Sequence, residues 1–194
     1  MPGMWERTIT FGSGGKSFGV TGWRIGWIIG PQHLLKYILA IQARTVFTTP
    51  TPLQDAVAAG LELCTKNDYF EEARLDYQRR RDKTISIFTD LGLAVAIPHG
   101  SYFFMVDTSK IKVDLPSHPY EEGLDPSVME PRDYAICRWL TTEIGVTAIP
   151  PSAFYSRENW DLAENMIRIC FCKTDETIDE AKRRLQKLRQ NITT

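Results

Sequence analysis

The sequence predicts an α/β protein made of two subdomains that are joined by a long helix. Residues 1–67 contain two short strand-like runs followed by two segments with apolar residues at helical spacing. A helical pattern then covers residues 68–91, and Gly92 is well placed to end it. Beyond Gly92 the pattern changes to short apolar strands between turns and helices, so residues 92–194 are expected to form the second subdomain.

The first subdomain begins with two predicted strands. "TITF" is a short strand that ends at Gly12, and "IGWIIG" (residues 25–30) is a second strand that we expect to be buried. Pro31 opens a helix in "PQHLLKYILAIQARTVF", since proline is favoured in a first helical turn. "TTPTP" (residues 48–52) breaks the pattern, and "PLQDAVAAGLELC" resumes it as another helix.

The second subdomain alternates strands and helices. "LAVAIP" and "SYFFMVD" predict two strands separated by "HG", and the polar, proline-bearing residues 108–131 predict a loop. A helix over residues 131–144 leads to a predicted strand in "VTAIP". "MIRICFC" (residues 166–172) is a further strand, and Thr174 is a good N-cap for the final helix.

Charge and composition exclude several classes of partner. Lys and Arg number 23 against 24 Asp and Glu, a net charge of −1, so nothing in the charge indicates a nucleic-acid partner. The basic clusters at residues 79–81 and 182–184 lie beside acidic residues in helical patterns, and we interpret them as solvated helix faces. No run approaches the roughly 20 apolar residues of a membrane span, so no membrane partner is expected.

The four cysteines and three histidines show no metal-ligand spacing. We therefore expect no metal site and four reduced thiols, which is typical of a cytoplasmic protein. A mitochondrial location remains open.

One lysine, Lys16, lies in the glycine-rich stretch "GSGGKSFGVTGWRIG". A lysine with its ordinary pKa of about 10.4 is a poor nucleophile, but desolvation or a nearby cation suits it to covalent chemistry with a carbonyl group. The glycines let the backbone approach a bound ring, Ser13 and Ser17 could bind a phosphate, and Arg24 could do so bidentately. The alternative is a glycine loop whose lysine faces water.

Arg168 lies in the predicted strand "MIRICFC". The alternation of a strand puts it on one face with Met166 and Cys170, while Ile167 and Ile169 share the other face. An arginine among apolar neighbours requires an anion. That anion is either an acidic side chain of this protein or a bound ligand.

"SGGKSFGVTGWRIG" resembles the pyridoxal-phosphate lysine motif of class I and II aminotransferases. That motif has a serine or other small residue three positions before the lysine, and a Gly-x-Arg whose arginine lies eight positions after it. The residues of this chain that match are Ser13, Lys16, Gly22, Arg24 and Gly26. The chain departs from the motif at Gly14, where the family usually has alanine or a larger apolar residue.

The resemblance extends from about residue 2 to the final helix. "PGMWERTITFGS", "TPLQDAVA", "PHGSYFFMVD" and "AIPPSAFYS" are similar to the kynurenine aminotransferase and cysteine-conjugate β-lyase branch of that family. The match is weakest over residues 110–131. The resemblance implies the C-terminal half of a fold-type I pyridoxal-phosphate-dependent transferase. Residues 1–67 would be the C-terminal part of its large three-layer domain, and residues 92–194 would form its small α+β domain. Residues 68–91 would be the long helix that connects the two domains.

The same resemblance implies roles for individual residues. Lys16 would be the catalytic lysine that bonds to pyridoxal 5'-phosphate, with Ser13 and Arg24 also binding this cofactor. Arg168 would bind the α-carboxylate of the substrate. Phe47 would lend its ring to the substrate pocket of the neighbouring subunit in a homodimer, although taken alone it reads as a core residue. Tyr102 and Phe103 are expected in the core of the small domain.

The family's pattern also has an aspartate, about thirty residues before the lysine, that pairs with the ring nitrogen. Only fifteen residues precede Lys16. We therefore expect this chain to be a C-terminal portion without substantial activity of its own, taken from an enzyme that transaminates a kynurenine-type aromatic amino acid with a 2-oxo acid such as 2-oxoglutarate. The alternatives are a carbon–sulfur β-lyase or another class I aminotransferase, and a non-catalytic truncated chain.

Overall fold

The computed structural model describes residues 1–116, 118 and 128–193. The chain divides into two compact units, Met1–Glu71 and Glu72–Thr194. We call these the first and the second unit.

The first unit is built on a two-stranded antiparallel sheet. Strand β1 (Thr10–Ser13) pairs with β2 (Gly26–Ile29), so that Thr10 lies opposite Ile29 and Ser13 opposite Gly26. The connection between them contains the single helical turn α1 (Gly14–Ser17) and a 3-10 turn, Thr21–Trp23. We call residues 14–25 the Lys16 loop.

Two helices complete the first unit, at the positions that the apolar spacing predicts. They are α2 (Gln32–Thr45), with Pro31 as its N-cap, and α3 (Thr51–Cys64). The prediction that β2 is buried is wrong for the described residues, because Ile29 is 52% exposed and Phe11 on the paired strand is 70% exposed. No residue of α2 is buried. This unit therefore has little core of its own.

The long helix α4 (Tyr69–Thr89) ends as the sequence predicts. Gly92 has a φ of +80°, a left-handed conformation that glycine adopts without steric cost. The Gly92 amide donates to Thr89 O at 2.9 Å, and the Leu93 amide donates to Phe88 O at 3.1 Å. These bonds satisfy carbonyls at the end of the helix and reverse the chain toward the sheet.

The second unit contains a three-stranded antiparallel sheet in the order β3-β4-β5. Its strands are β3 (Val95–Ala96), β4 (Phe103–Asp107) and β5 (Met166–Cys170). Met105 lies opposite Arg168 in the register of β4 and β5. The predicted alternation is confirmed, since Ile167 and Ile169 are buried while Arg168 is half-buried.

Helix α5 (Arg132–Trp139) continues as a π-helical turn, Leu140–Ile144. The strand predicted in "VTAIP" is wrong, because only one isolated bridge forms there, between Ile149 and Arg168. Pro150 and Pro151 follow at once and have no amide hydrogen for a strand ladder. Of the predicted loop, residues 117 and 119–127 lie outside the described residues.

The final helix α6 (Asp175–Leu185) begins at the predicted cap, where Thr174 Oγ1 accepts a hydrogen bond from the Thr177 amide at 3.4 Å. The core of the second unit is a cluster of buried apolar side chains from α4, the sheet, α5 and α6, which includes Ile87, Phe88, Phe104, Val106, Ile136, Leu140, Ile167, Ile169, Ile178 and Leu185. Within the described ranges, no helix is both long and apolar enough to cross a membrane.

Candidate active site

A half-open cavity of about 280 Å³ lies at the Lys16 loop on the first unit. Three of the residues that line it are the predicted Ser13, Lys16 and Arg24, and the others are Gly12, Gly15, Thr21, Ile25 and Gly26. The structure thus brings together the three side chains that the sequence predicts for cofactor binding. Ser17 is not among the lining residues, and its hydroxyl donates to Ser13 O at 3.0 Å.

Close backbone packing around this cavity requires glycine. A Cβ at Gly26 would lie 2.9 Å from Gly12 O, and a Cβ at Gly15 would lie 3.1 Å from the Thr21 Cα. Both distances are shorter than ordinary contacts of a real Cβ. Gly15 and Gly26 therefore let the backbone segments around the cavity approach each other closely.

Arg24 has an unusual backbone conformation, with φ 58° and ψ 35°. A left-handed conformation at a residue other than glycine stores strain and is enriched at functional sites. The side chain is exposed, and Nη1 donates to Thr21 O at 3.3 Å. The turn therefore holds a guanidinium at the rim of the cavity, and its one hydrogen bond among the described residues is the bond to Thr21 O.

Helix α3 and the first residue of α4 pack against the Lys16 loop. Gly14 is buried, and a Cβ there would lie 2.9 Å from a methyl of Val57. A Cβ at Gly60 would lie 3.3 Å from the Phe18 ring, and the Tyr69 hydroxyl donates to Ser17 O at 3.1 Å. Sequence reasoning missed these supports. Their one signal was the departure of Gly14 from the family motif.

The donors around the cavity fit pyridoxal phosphate. Lys16 supplies an amine for an aldehyde, while Arg24 and the Ser13 hydroxyl supply donors for a phosphate. The glycines leave the space that a Cβ would fill. The residues present therefore suit the aldehyde and the phosphate of this cofactor.

Arg168 is held between aromatic rings rather than by an acid. Its guanidinium carbon lies 4.3 Å from the ring centroid of Phe103 and 4.6 Å from that of Phe154. Nε is buried and has no hydrogen-bond partner in the part of the chain that the structure describes. Among the residues that the structure describes, no acidic side chain lies within 4.0 Å of this guanidinium. The alternative of an internal ion pair is therefore not supported, and the cation is available to an external anion.

The aromatic residues near Arg168 differ from the prediction. Tyr102 and Phe103 are half-buried and lie outside the core cluster, so the prediction that they are core residues is wrong. Phe103 instead packs against the Arg168 guanidinium, and Tyr102 packs edge-on against Tyr77 at 5.2 Å. Sequence reasoning missed Phe154, because only folding brings it to Arg168.

Phe47 is 86% exposed and has a φ of 69°. The reading of Phe47 as a core residue is therefore wrong for the described chain. A left-handed conformation is unusual for a bulky residue such as phenylalanine.

The basic clusters are paired with acids on exposed helix surfaces. Arg79 contacts Asp175 and Asp76, both at 2.9 Å, and Arg184 contacts Glu180 at 2.7 Å. Hydrogen bonds from Arg79 and then Lys83 hold the pKa of the Asp175 carboxyl well below its usual value. The four cysteines are free, and the described residues contain no cluster of possible metal ligands.

The family model for class I and II aminotransferases matches residues 1–185, and the chain belongs to this family.

Three known proteins illustrate the similarity. The kynurenine–oxoglutarate transaminase of Dictyostelium discoideum is 45% identical over 98% of this chain and 43% of its own length. The structure of Bna3p from Saccharomyces cerevisiae superposes with a TM-score of 0.88 at 39% identity, over 99% of this chain and 45% of that one. The structure of N-succinyldiaminopimelate aminotransferase from Mycobacterium tuberculosis superposes with a TM-score of 0.79 at 35% identity, over 97% of this chain and 44% of that one. The chain therefore has the fold of part of a fold-type I aminotransferase and spans less than half the length of these relatives.

Proposed function

We propose that this chain supplies the catalytic lysine and the substrate-binding arginine of an aminotransferase. The complete enzyme would transfer the amino group of a kynurenine-type aromatic amino acid to a 2-oxo acid such as 2-oxoglutarate. The observation that carries the proposal is the single cavity lined by Ser13, Lys16 and Arg24. The substrate class is supported by the 45% identity to the relative from Dictyostelium discoideum.

Each residue of the cavity has a distinct task in this proposal. Arg24 and Ser13 bind the phosphate of the cofactor, and the bidentate geometry of a guanidinium fixes its orientation. The Lys16 amine would hold the cofactor at its aldehyde carbon, with the aldehyde oxygen lost as water. The same amine, once released, would move the proton at the substrate α-carbon. Pyridoxal phosphate, when bound, supplies an electron sink for the negative charge that forms when the α-carbon loses its proton.

Arg168 binds the substrate carboxylate in this proposal. Its planar guanidinium matches two carboxylate oxygens, which a lysine cannot do. The contacts with Phe103 and Phe154 support the assignment, as does the absence of a partner for Nε and of a nearby acid among the described residues.

The proposal extends to the organisation of the complete enzyme. Residues 1–67 belong to its large domain and residues 92–194 form its small domain. Residues 68–91 form the helix that connects these two domains. Phe47 lends its exposed ring to the substrate pocket of the neighbouring subunit in a homodimer. The four free cysteines support a cytoplasmic site of action.

Profiling of amino donors on the complete enzyme tests the proposed reaction. With 2-oxoglutarate as the acceptor, kynurenine and other aromatic amino acids should give glutamate. A carbon–sulfur β-lyase would instead release pyruvate and ammonia from cysteine conjugates. A preference for N-succinylated or aliphatic donors would indicate another class I aminotransferase. The absence of turnover with every donor would favour the non-catalytic alternative.

A further inference from the structure

The segment that carries Phe154 is fixed to strand β5 beside Arg168. The Arg168 amide donates to Ile149 O at 2.9 Å, and the Ile149 amide donates to Arg168 O at 3.1 Å. The amide and the carbonyl of Arg168 both bond to Ile149, along one edge of β5. Strand β4 pairs with the opposite edge of β5. Phe103 and Phe154 thus approach Arg168 from segments on opposite edges of the strand. We call these two phenylalanines the ring pair.

A buried carboxylate fixes the same segment three residues beyond the bridge. Asp133 Oδ2 accepts a hydrogen bond from the Ser152 amide at 2.8 Å, and Oδ1 accepts one from the Ser152 hydroxyl at 2.7 Å. The Tyr134 amide also donates to Oδ1, at 3.0 Å. Asp133 and Ser152 are both 0% exposed. Burial raises the pKa of the Asp133 carboxyl even though these hydrogen bonds lower it.

The chain between the two attachments has little freedom. Pro150 and Pro151 have restricted φ angles, and Pro151–Phe154 forms a 3-10 turn. The Tyr155 amide closes this turn by donating to Ser152 O at 3.0 Å. Phe154 is itself 65% exposed, so its own burial does not hold its ring in place. Its position depends on the bridge at Ile149 and on the hydrogen bonds between Asp133 and Ser152.

We propose that Asp133 is a positioning residue for the substrate-binding arginine, acting through Ser152 and Phe154. By holding the turn Pro151–Phe154, it keeps the ring pair in contact with the Arg168 guanidinium and restricts that group to one orientation. The benefit is preorganisation, because a guanidinium that is already oriented loses less conformational entropy when it binds a carboxylate. This inference rests on the proposed role of Arg168.

The nuclear magnetic resonance signal of the Arg168 Nε–H group tests the positioning directly. Two phenyl rings within 5 Å should shift this signal away from that of an exposed arginine. The signal is assigned by its loss in Arg168→Lys. In Ser152→Ala, which keeps the backbone bond to Asp133, and in Asp133→Asn, we expect it to move toward the exposed value. Thr84→Val is the matched control, since it removes a buried hydroxyl that donates to Arg80 O within α4.

Binding to the holoenzyme provides the second measurement. The probes are 3-phenylpropanoate and its amide, which differ only in the carboxylate. We expect Ser152→Ala and Asp133→Asn to weaken binding of the carboxylate by about fivefold, the size of effect that lost preorganisation gives. Binding of the amide should change little, and Thr84→Val should behave like the original protein with both probes.

The results separate the two proposals. If Arg168→Lys leaves the affinity for 3-phenylpropanoate unchanged, the proposed role of Arg168 is wrong and the role of Asp133 is overturned with it. If Arg168→Lys weakens binding but Ser152→Ala changes neither the Nε–H signal nor the affinity, only the positioning role is overturned. Should Asp133→Asn fail to fold, Ser152→Ala alone decides.

Discussion

Arg168 shows what a residue's neighbours in sequence can and cannot predict. The alternation in "MIRICFC" predicts its strand and its face, and the apolar neighbours predict that its charge needs an anion. The sequence does not predict the ring pair, because Phe103 and Phe154 are remote from Arg168 along the chain and reach it only through strand pairing and the bridge at Ile149. Residue type and periodicity are local, whereas the contacts of a side chain are not.

Replacing Arg168 with lysine should mainly raise the KM of the complete enzyme for its amino-acid substrate. A bidentate contact becomes a single one, and a hydrogen bond to a charged group contributes about 1.5–3 kcal/mol. Steady-state kinetics with an amino acid and with an amine that lacks a carboxylate provides the comparison, and the amine should be nearly insensitive. The matched control is Arg189→Lys, since Arg189 bonds Gln186 at 2.8 Å on an exposed turn. Equal losses for both substrates would contradict the assignment.

The elements show the same division between local and distant information. Helices α2, α3, α4 and α6 follow from apolar spacing, caps and the glycine at residue 92, all of which are local signals. The strand expected in "VTAIP" does not form beyond one bridge, because the prolines after it remove ladder donors. Gly14 packs on Val57 because α1 and α3 lie against each other in the fold. The spacing of apolar residues along the sequence does not predict this contact.

The contact between the Lys16 loop and α3 can be tested by Gly14→Ala. The added methyl would lie 2.9 Å from Val57, and overpacking of this kind typically lowers stability by about 1–3 kcal/mol. Urea denaturation should show a lower midpoint. Adding Val57→Ala should relieve the clash and give a favourable coupling of about 1 kcal/mol in a double-mutant cycle. Gly22→Ala is the control, because a Cβ there has nothing within 4 Å, and additive effects of the paired substitutions would contradict the packing.

Helices α4 and α6 are joined by an ion-pair group that should make stability depend on pH. Hydrogen bonds from Arg79 and Lys83 lower the pKa of the Asp175 carboxyl below its ordinary value. When folding lowers the pKa of an acid, the charged acid stabilises the folded state at every pH above the pKa that the acid has in the unfolded chain. This stabilisation is lost as the pH falls to the lower pKa that the acid has in the folded protein. Asp175→Asn should therefore lower the urea midpoint at neutral pH, and the difference from the original protein should shrink on acidification.

High salt should also reduce the effect of Asp175→Asn, since the ion pairs are exposed. The control is Asp161→Asn, which changes an exposed acid that forms no ion pair among the described residues. A difference that persists unchanged at low pH would show that Asp175 acts by some means other than its charge.

At the scale of the whole molecule, the two units differ in how much apolar surface they bury. The buried apolar side chains of the first unit are Ile25 and Val57 among the described residues, whereas the second unit has a continuous core cluster. Burial of apolar surface is the dominant favourable contribution to folding. The second unit should therefore be the more stable part of this 194-residue chain.

Hydrogen exchange of the 194-residue chain should reveal this difference. We expect protection to be concentrated in residues 93–107, 132–150 and 165–190, with faster exchange before residue 50. Amide exchange resolved by mass spectrometry measures both regions in one sample. Equal protection across the two units would mean that the first unit is stabilised by interactions other than its own buried side chains.

The same chain should have no substantial aminotransferase activity by itself and should hold the cofactor weakly. Lys16, Ser13 and Arg24 supply donors for the aldehyde and one side of the phosphate. The relatives have more than half of their length outside the matched span. Turnover of kynurenine by the 194-residue chain at rates close to those of a complete enzyme would contradict this expectation.

The identity of the lysine that bonds to the cofactor tests the central claim most directly. The chain is saturated with pyridoxal phosphate and treated with borohydride, which fixes the cofactor's aldehyde carbon to the amine it contacts, and the modified residue is then located by peptide mapping. We predict modification at Lys16, its loss in Lys16→Ala, and no change in Lys36→Ala or Lys66→Ala, which remove other exposed lysines of the first unit. Modification that persists at full extent in Lys16→Ala, or that maps mainly to another lysine, would contradict the claim.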